Sequence, residues 1–68
     1  MVDEKIVEDL AAQIKAIQGT KTFIDKLYYD PAFSSFFNRP VLSMLMAGCD
    51  YLSSNLDILR SKYITANQ

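Results

Sequence analysis

The strongest pattern in this chain is a heptad stripe in its C-terminal third. Leu42, Leu45, Cys49, Leu52, Leu56, Leu59 and Tyr63 follow one another at alternating steps of three and four. That spacing places all seven on one side of a long helix, as the a and d positions of a lengthwise packing seam. A further row, Met44, Tyr51 and Ile58, repeats every seven residues in the c register, with Val41 and Gly48 among the g positions beside it. The apolar arc therefore runs through c, g, d and a, which is more than one neighbouring helix covers. Pro40 suits the first turn of this helix, and Arg60 and Lys62 suit its last turns, where the helix dipole favours cations. The expected span is 40–64, about 37 Å at 1.5 Å per residue.

Upstream, Val2, Ile6, Leu10, Ile14 and Ile17 share one face, widened by Val7 and Ala11, and predict an amphipathic helix over 3–18. Asp3, Glu4, Glu8 and Asp9 crowd its N-terminal half, where the dipole favours negative charge. Gly19 is the expected stop. A short helix over 21–29 follows, with Thr20 or Thr22 as N-cap and Phe23, Ile24, Leu27 and Tyr28 as its apolar positions. Asp30-Pro31 breaks it and suits the start of another turn. Phe33, Phe36 and Phe37 at i, i+3 and i+4 predict a third short helix over 31–37, before Asn38-Arg39-Pro40 interrupts again.

These elements make an all-α protein: a small helical bundle in which a long C-terminal helix packs on an N-terminal helix, joined by one or two short aromatic-rich helices. Residues 1–64 form a single domain and 65–68 a frayed tail. The wide arc on the long helix has two readings. The first helix and the short helices cover it within one subunit, or part of it is an intersubunit surface. The second is favoured, because a first helix of four turns is too short for a seven-turn neighbour. A homodimer with a four-helix core is the expected assembly. Met44, Gly48, Tyr51, Leu52 and Ile58 are the candidate self-association residues. The small run Ala47-Gly48-Cys49 marks either a dimer crossing point or room for a bulky neighbour such as Phe33 or Phe37.

The aromatic cluster of Tyr28, Tyr29, Phe33, Phe36 and Phe37 is either a plug at the bundle end or a binding surface, since aromatic residues are enriched at interaction hot spots. Helical phase groups Tyr28 with Ile24 and Leu27 and leaves Tyr29 outside. Tyr29, Phe33 and Arg39 are therefore the candidates for an external protein partner.

Composition narrows the functional classes. The chain of 68 residues is 50% apolar, enough for a globular fold. Its net charge of −1 offers no basic excess for nucleic acid. One cysteine forbids an internal disulfide, and Cys49 on the apolar seam, without a basic neighbour, reads as an inert small hydrophobe. Met1 to Lys5 is acidic and not followed by an apolar core, so no signal peptide is expected. The weakly polar stretch from Pro40 to Cys49 is too short to span a bilayer. A cytoplasmic protein is the expectation.

Candidate chemistry is scarce. There is no histidine, which removes the commonest general base and metal ligand. Asp3/Glu4 and Glu8/Asp9 read as a solvated charge run, and Asp50 and Asp57 lie seven apart with no third ligand near. No glycine-rich phosphate loop is present. No catalytic residue, metal or cofactor is expected. The expected function is a non-catalytic protein–protein interaction module, a small adaptor, inhibitor or regulator. The alternatives are an apolar-ligand, lipid or membrane-interfacial protein and, less favoured, a DNA-binding regulator.

Overall fold

The computed structural model describes residues 1–68 as two long helices packed antiparallel, α1 (Glu4–Tyr28) and α2 (Asn38–Ala66), joined by a nine-residue connection. The hairpin is elongated, with Cα extents of 50 × 15 × 10 Å.

Asp3 caps α1. Its carboxylate accepts the Lys5 N–H at 3.0 Å, and its own N–H donates to the Tyr63 hydroxyl at 2.9 Å, which ties the two chain ends together. The helix does not stop at Gly19 but continues for nine more residues. Gly19 has negative φ, so nothing in the backbone requires glycine there. Its cost inside a helix, about 1 kcal/mol relative to alanine, is small beside the packing of Lys21, Ile24 and Leu27 beyond it. Thr20 and Thr22 cap nothing. Their hydroxyls donate back to the carbonyls of Ala16 and Gln18, a bond that lets a hydroxyl residue sit inside a helix.

The third short helix is also absent. Pro31 to Phe33 and Phe36-Phe37 form turns. Asp30 organises the first of these: its carboxylate accepts the Ala32 N–H at 2.8 Å, and its carbonyl accepts from Phe33 and Ser34. Ser35 then supplies the start of α2. Its hydroxyl accepts the Asn38 N–H and its carbonyl the Arg39 N–H. The phenylalanine spacing suggested a helix, but side-chain and carbonyl acceptors in the connection satisfy the backbone as turns instead. Pro40 is tolerated because the first residues of a helix have no N–H bond to lose.

Since α1 spans about seven turns, it is long enough to run beside most of α2. The argument for assembly from a short first helix therefore fails, and the shortfall lies in width. Only Ile24 and Leu42 are buried, near the connection. On α2 the buried and half-buried positions are Asn38, Leu42, Met46, Cys49, Ser53, Leu56, Arg60, Tyr63 and Ile64. This seam uses the expected a row but replaces the d row with its polar neighbour, e. Lys21 and Asp50 join the two helices on this side through an ion pair of 2.6 Å. The expected d row, Leu45, Leu52 and Leu59, is left 50%, 54% and 57% exposed. At the C-terminus, the Asn67 amide donates to the Tyr63 carbonyl at 2.8 Å, so helical order continues past Ile64 to Ala66.

Candidate functional site

The two long sides of the hairpin differ in character. One carries shallow polar hollows, lined by Gln18, Lys21, Thr22 and Asp25 of α1 with Asp50, Ser53, Asp57 and Arg60 of α2. Arg60 pairs with Asp57 at 2.9 Å. Both ion pairs are solvent-accessible and contribute little to stability. Half-buried Cys49 borders this side. No group of three or more acidic or cysteine side chains converges in a way that could hold a metal.

The other side is apolar. Near the connection it opens into a hollow of about 440 Å³ lined mainly by Phe23, Ile24, Leu27, Phe33, Val41 and Leu45. Along α2 the apolar surface continues from Val41 and Leu45 through Gly48, Leu52 and Leu59, at helical steps of three, four and seven. All five of these residues are exposed. On α1 the same side is carried by Phe23 and Leu27 near the connection, whereas Gly19 and Ala12 stand about 140–160° around the helix from Ile14 and Ile17 and so face away from α2. Monomeric proteins rarely expose a continuous apolar surface of this length.

The accessible area has the same message. The chain exposes 5306 Å², whereas a compact monomer of 7.7 kDa exposes about 4,300 Å². The excess of about 1,000 Å² is close to what one partner contributes to a standard interface.

The five candidate self-association residues fall on this flank or at its outer edge. Gly48 and Leu52 are central, while Met44, Tyr51 and Ile58 form the outer row, and all are exposed. Leu45 and Leu59 belong with them. Both belong to the heptad seam, and the rotation of α2 leaves them free of α1.

The three partner candidates do not form one patch. Tyr29 is 74% exposed and rests edge-on against Tyr28, with ring centroids 5.1 Å apart. Phe33 turns towards the apolar hollow. Arg39 is engaged: its Nε donates to the Ser34 hydroxyl at 2.7 Å, and its guanidinium lies 5.7 Å from the centre of the half-buried Tyr28 ring. Phe36 and Phe37, absent from the sequence candidates, are the most exposed aromatic residues and pack edge-on against each other at 5.7 Å. Their position in a turn, invisible to helical periodicity, is what exposes them.

Tyr28→Ala should therefore destabilise the fold by about 2 kcal/mol or more, since it removes a packed ring and the platform for Arg39. Tyr29→Ala should cost only ~0.5 kcal/mol. Melting curves of the two variants test this, and a costlier Tyr29 would show that the tyrosine environments are misassigned.

Comparison with known proteins identifies no relative. No family model matches the chain, and no curated protein or solved structure matches it significantly. No helix is long and apolar enough to cross a membrane.

Proposed function

We propose that this protein is a non-catalytic protein–protein interaction module, a small helical adaptor, inhibitor or regulator that acts as a homo-oligomer. One observation carries the reading: the hairpin leaves a continuous apolar flank uncovered along α2, with the Leu45, Leu52 and Leu59 row each at least half exposed. Burying such side chains releases roughly 25 cal/mol per Å² of apolar area, so a flank of this size favours association. The polar side remains hydrated in the assembly. Tyr29, Phe36 and Phe37, at the turn end, are the side chains offered to a different protein partner.

Sedimentation equilibrium tests the reading. The expected result is a homo-oligomer at tens of micromolar, and a strictly monomeric protein at that concentration overturns it. The second reading, an apolar-ligand binder, has one supporting observation in the hollow of about 440 Å³. It predicts that a monomer binds an apolar probe there with saturable stoichiometry.

A further inference from the structure

We propose that α2 of a second copy covers the flank, running antiparallel to α2 of the first about a two-fold axis at Gly48. This rests on the self-association proposed above and adds its orientation and register.

The α2 flank has the length and the period of a helix contact. At 100° per residue its rows c, g and d lie at about 200°, 240° and 300° around α2 from row a, so row g runs along the middle. Phe37, the N-terminal cap of α2, has helical backbone angles and extends row c by seven residues. It is 81% exposed, and Met44, Tyr51 and Ile58 follow it at 74%, 72% and 51%. Rows g and d alternate at steps of four and three through Val41, Leu45, Gly48 and Leu52. A strip that keeps this period on one face is matched lengthwise by another helix.

That other helix is a second α2, because the strip is symmetric about its own midpoint. It runs from Phe37 to Leu59, and the residue midway is Gly48. A two-fold axis across the helices at this point lays row c beside the partner's row c and row d beside the partner's row d. Each residue then faces the one equally far from the midpoint. Met44 meets the partner's Tyr51, Leu45 meets the partner's Leu52, and Phe37 meets the partner's Ile58, each to within about one residue, or 1.5 Å, of the same level. A two-fold interface must be self-complementary in this way. A helix of another protein would not require large apolar residues at mirrored positions.

Charge selects the antiparallel sense. Lys62, at the end of row g, is the only charged residue in rows c, g and d of α2, and it forms no ion pair within the chain. A parallel pair sets row g against row g and brings Lys62 against the partner's Lys62, a like-charge contact. The antiparallel pair holds the two ammonium groups about 40 Å apart at 1.5 Å per residue, and it opposes the two helix dipoles. A slip of seven residues in either direction leaves Phe37 or Leu59 beyond the partner's apolar strip. The excess exposed area of about 1,000 Å², one partner's share of a standard interface, is sufficient for the contact.

The test combines a distance with a steric block. A nitroxide is attached at Ser61→Cys in a Cys49→Ser background, and the interspin distance is read by pulsed electron resonance. Ser61 is exposed on the polar side of α2, near its C-terminal end. The antiparallel pair gives roughly 40–45 Å, and a parallel pair gives about 20 Å, two interhelical spacings. Gly48→Leu, made with the native cysteine retained, puts two large side chains at the axis and should weaken dimerisation on the order of a hundredfold. An added Cβ at Gly48 meets nothing within 4 Å in its own chain, so circular dichroism should show the helices retained. A dimer with the long distance that Gly48→Leu weakens supports the proposal. A dimer with the short distance overturns the antiparallel sense, and one indifferent to Gly48→Leu overturns the axis at Gly48; either leaves self-association standing. A monomeric wild type overturns both.

Discussion

Leu52→Glu should convert the assembled protein into a monomer at concentrations where the wild type is fully associated. Leu52 lies at the centre of the α2 flank, half exposed in one copy and touching no element that would have to move. A glutamate there is harmless to an isolated hairpin, because its carboxylate stays in water. In the assembly the same carboxylate is taken out of water among uncharged neighbours, since Leu45, Gly48 and Leu59 beside it on α2 carry no charge. Losing the leucine and burying a polar group costs roughly 2–3 kcal/mol at each site. A two-fold dimer contains the site twice, so the dissociation constant should rise by about three to four orders of magnitude. Sedimentation equilibrium of the variant decides it. An unchanged association constant would mean that Leu52 faces solvent in the assembly and that the flank is not the interface. Ser54→Glu is the control: it places the same charge on the polar side of α2 and should leave association within a few-fold of wild type.

Leu42→Ala should have the largest effect on folding itself. Leu42 is only 5% exposed and, with Ile24, forms the whole buried part of the intrachain core. Truncating a buried leucine costs about 2–5 kcal/mol, through lost transfer energy and the cavity left behind. A domain of this size has a total stability of about 3–10 kcal/mol, so this one substitution removes a large share of it. The melting temperature should fall by roughly 10–30 °C, at 4–8 °C per kcal/mol for a chain this short. A shift of only a few degrees would show that the packing near the connection is not what holds α1 against α2. The seam further along cannot compensate well. It contains Ser53 and Arg60, and the Arg60 Nε is buried there without a hydrogen-bond partner. A hairpin with so few buried side chains gains stability from any partner that binds its folded form, so its melting temperature should rise with protein concentration.

The helical nature of the chain was legible from apolar spacing alone, and so was the width of the apolar arc on α2. Residues 40–64 lie within α2, and the phase that separates Tyr28 from Tyr29 agrees with their burial. The misread boundaries have local causes. Gly19 is a strong stop signal in an isolated segment, but packing on its far side outweighs about 1 kcal/mol of propensity. Phe33, Phe36 and Phe37 have helical spacing, but the Asp30 carboxylate and Ser35 hydroxyl satisfy the nearby N–H groups as turns.

What the sequence determined by itself is which surfaces are apolar, because that depends only on residue type and the period of the helix. Which of them α1 covers was decided by the tertiary structure. Rows d and e flank row a on its two sides, and the preference of Leu45, Leu52 and Leu59 for burial favours d. In the structure it is row e, with Met46 half-buried, that turns towards α1. The hydrophobic effect is non-directional and rewards removal of these leucines from water without specifying what removes them. Periodicity can therefore state that a row needs cover, while only the relative rotation of two packed helices shows that the chain's own first helix does not supply it.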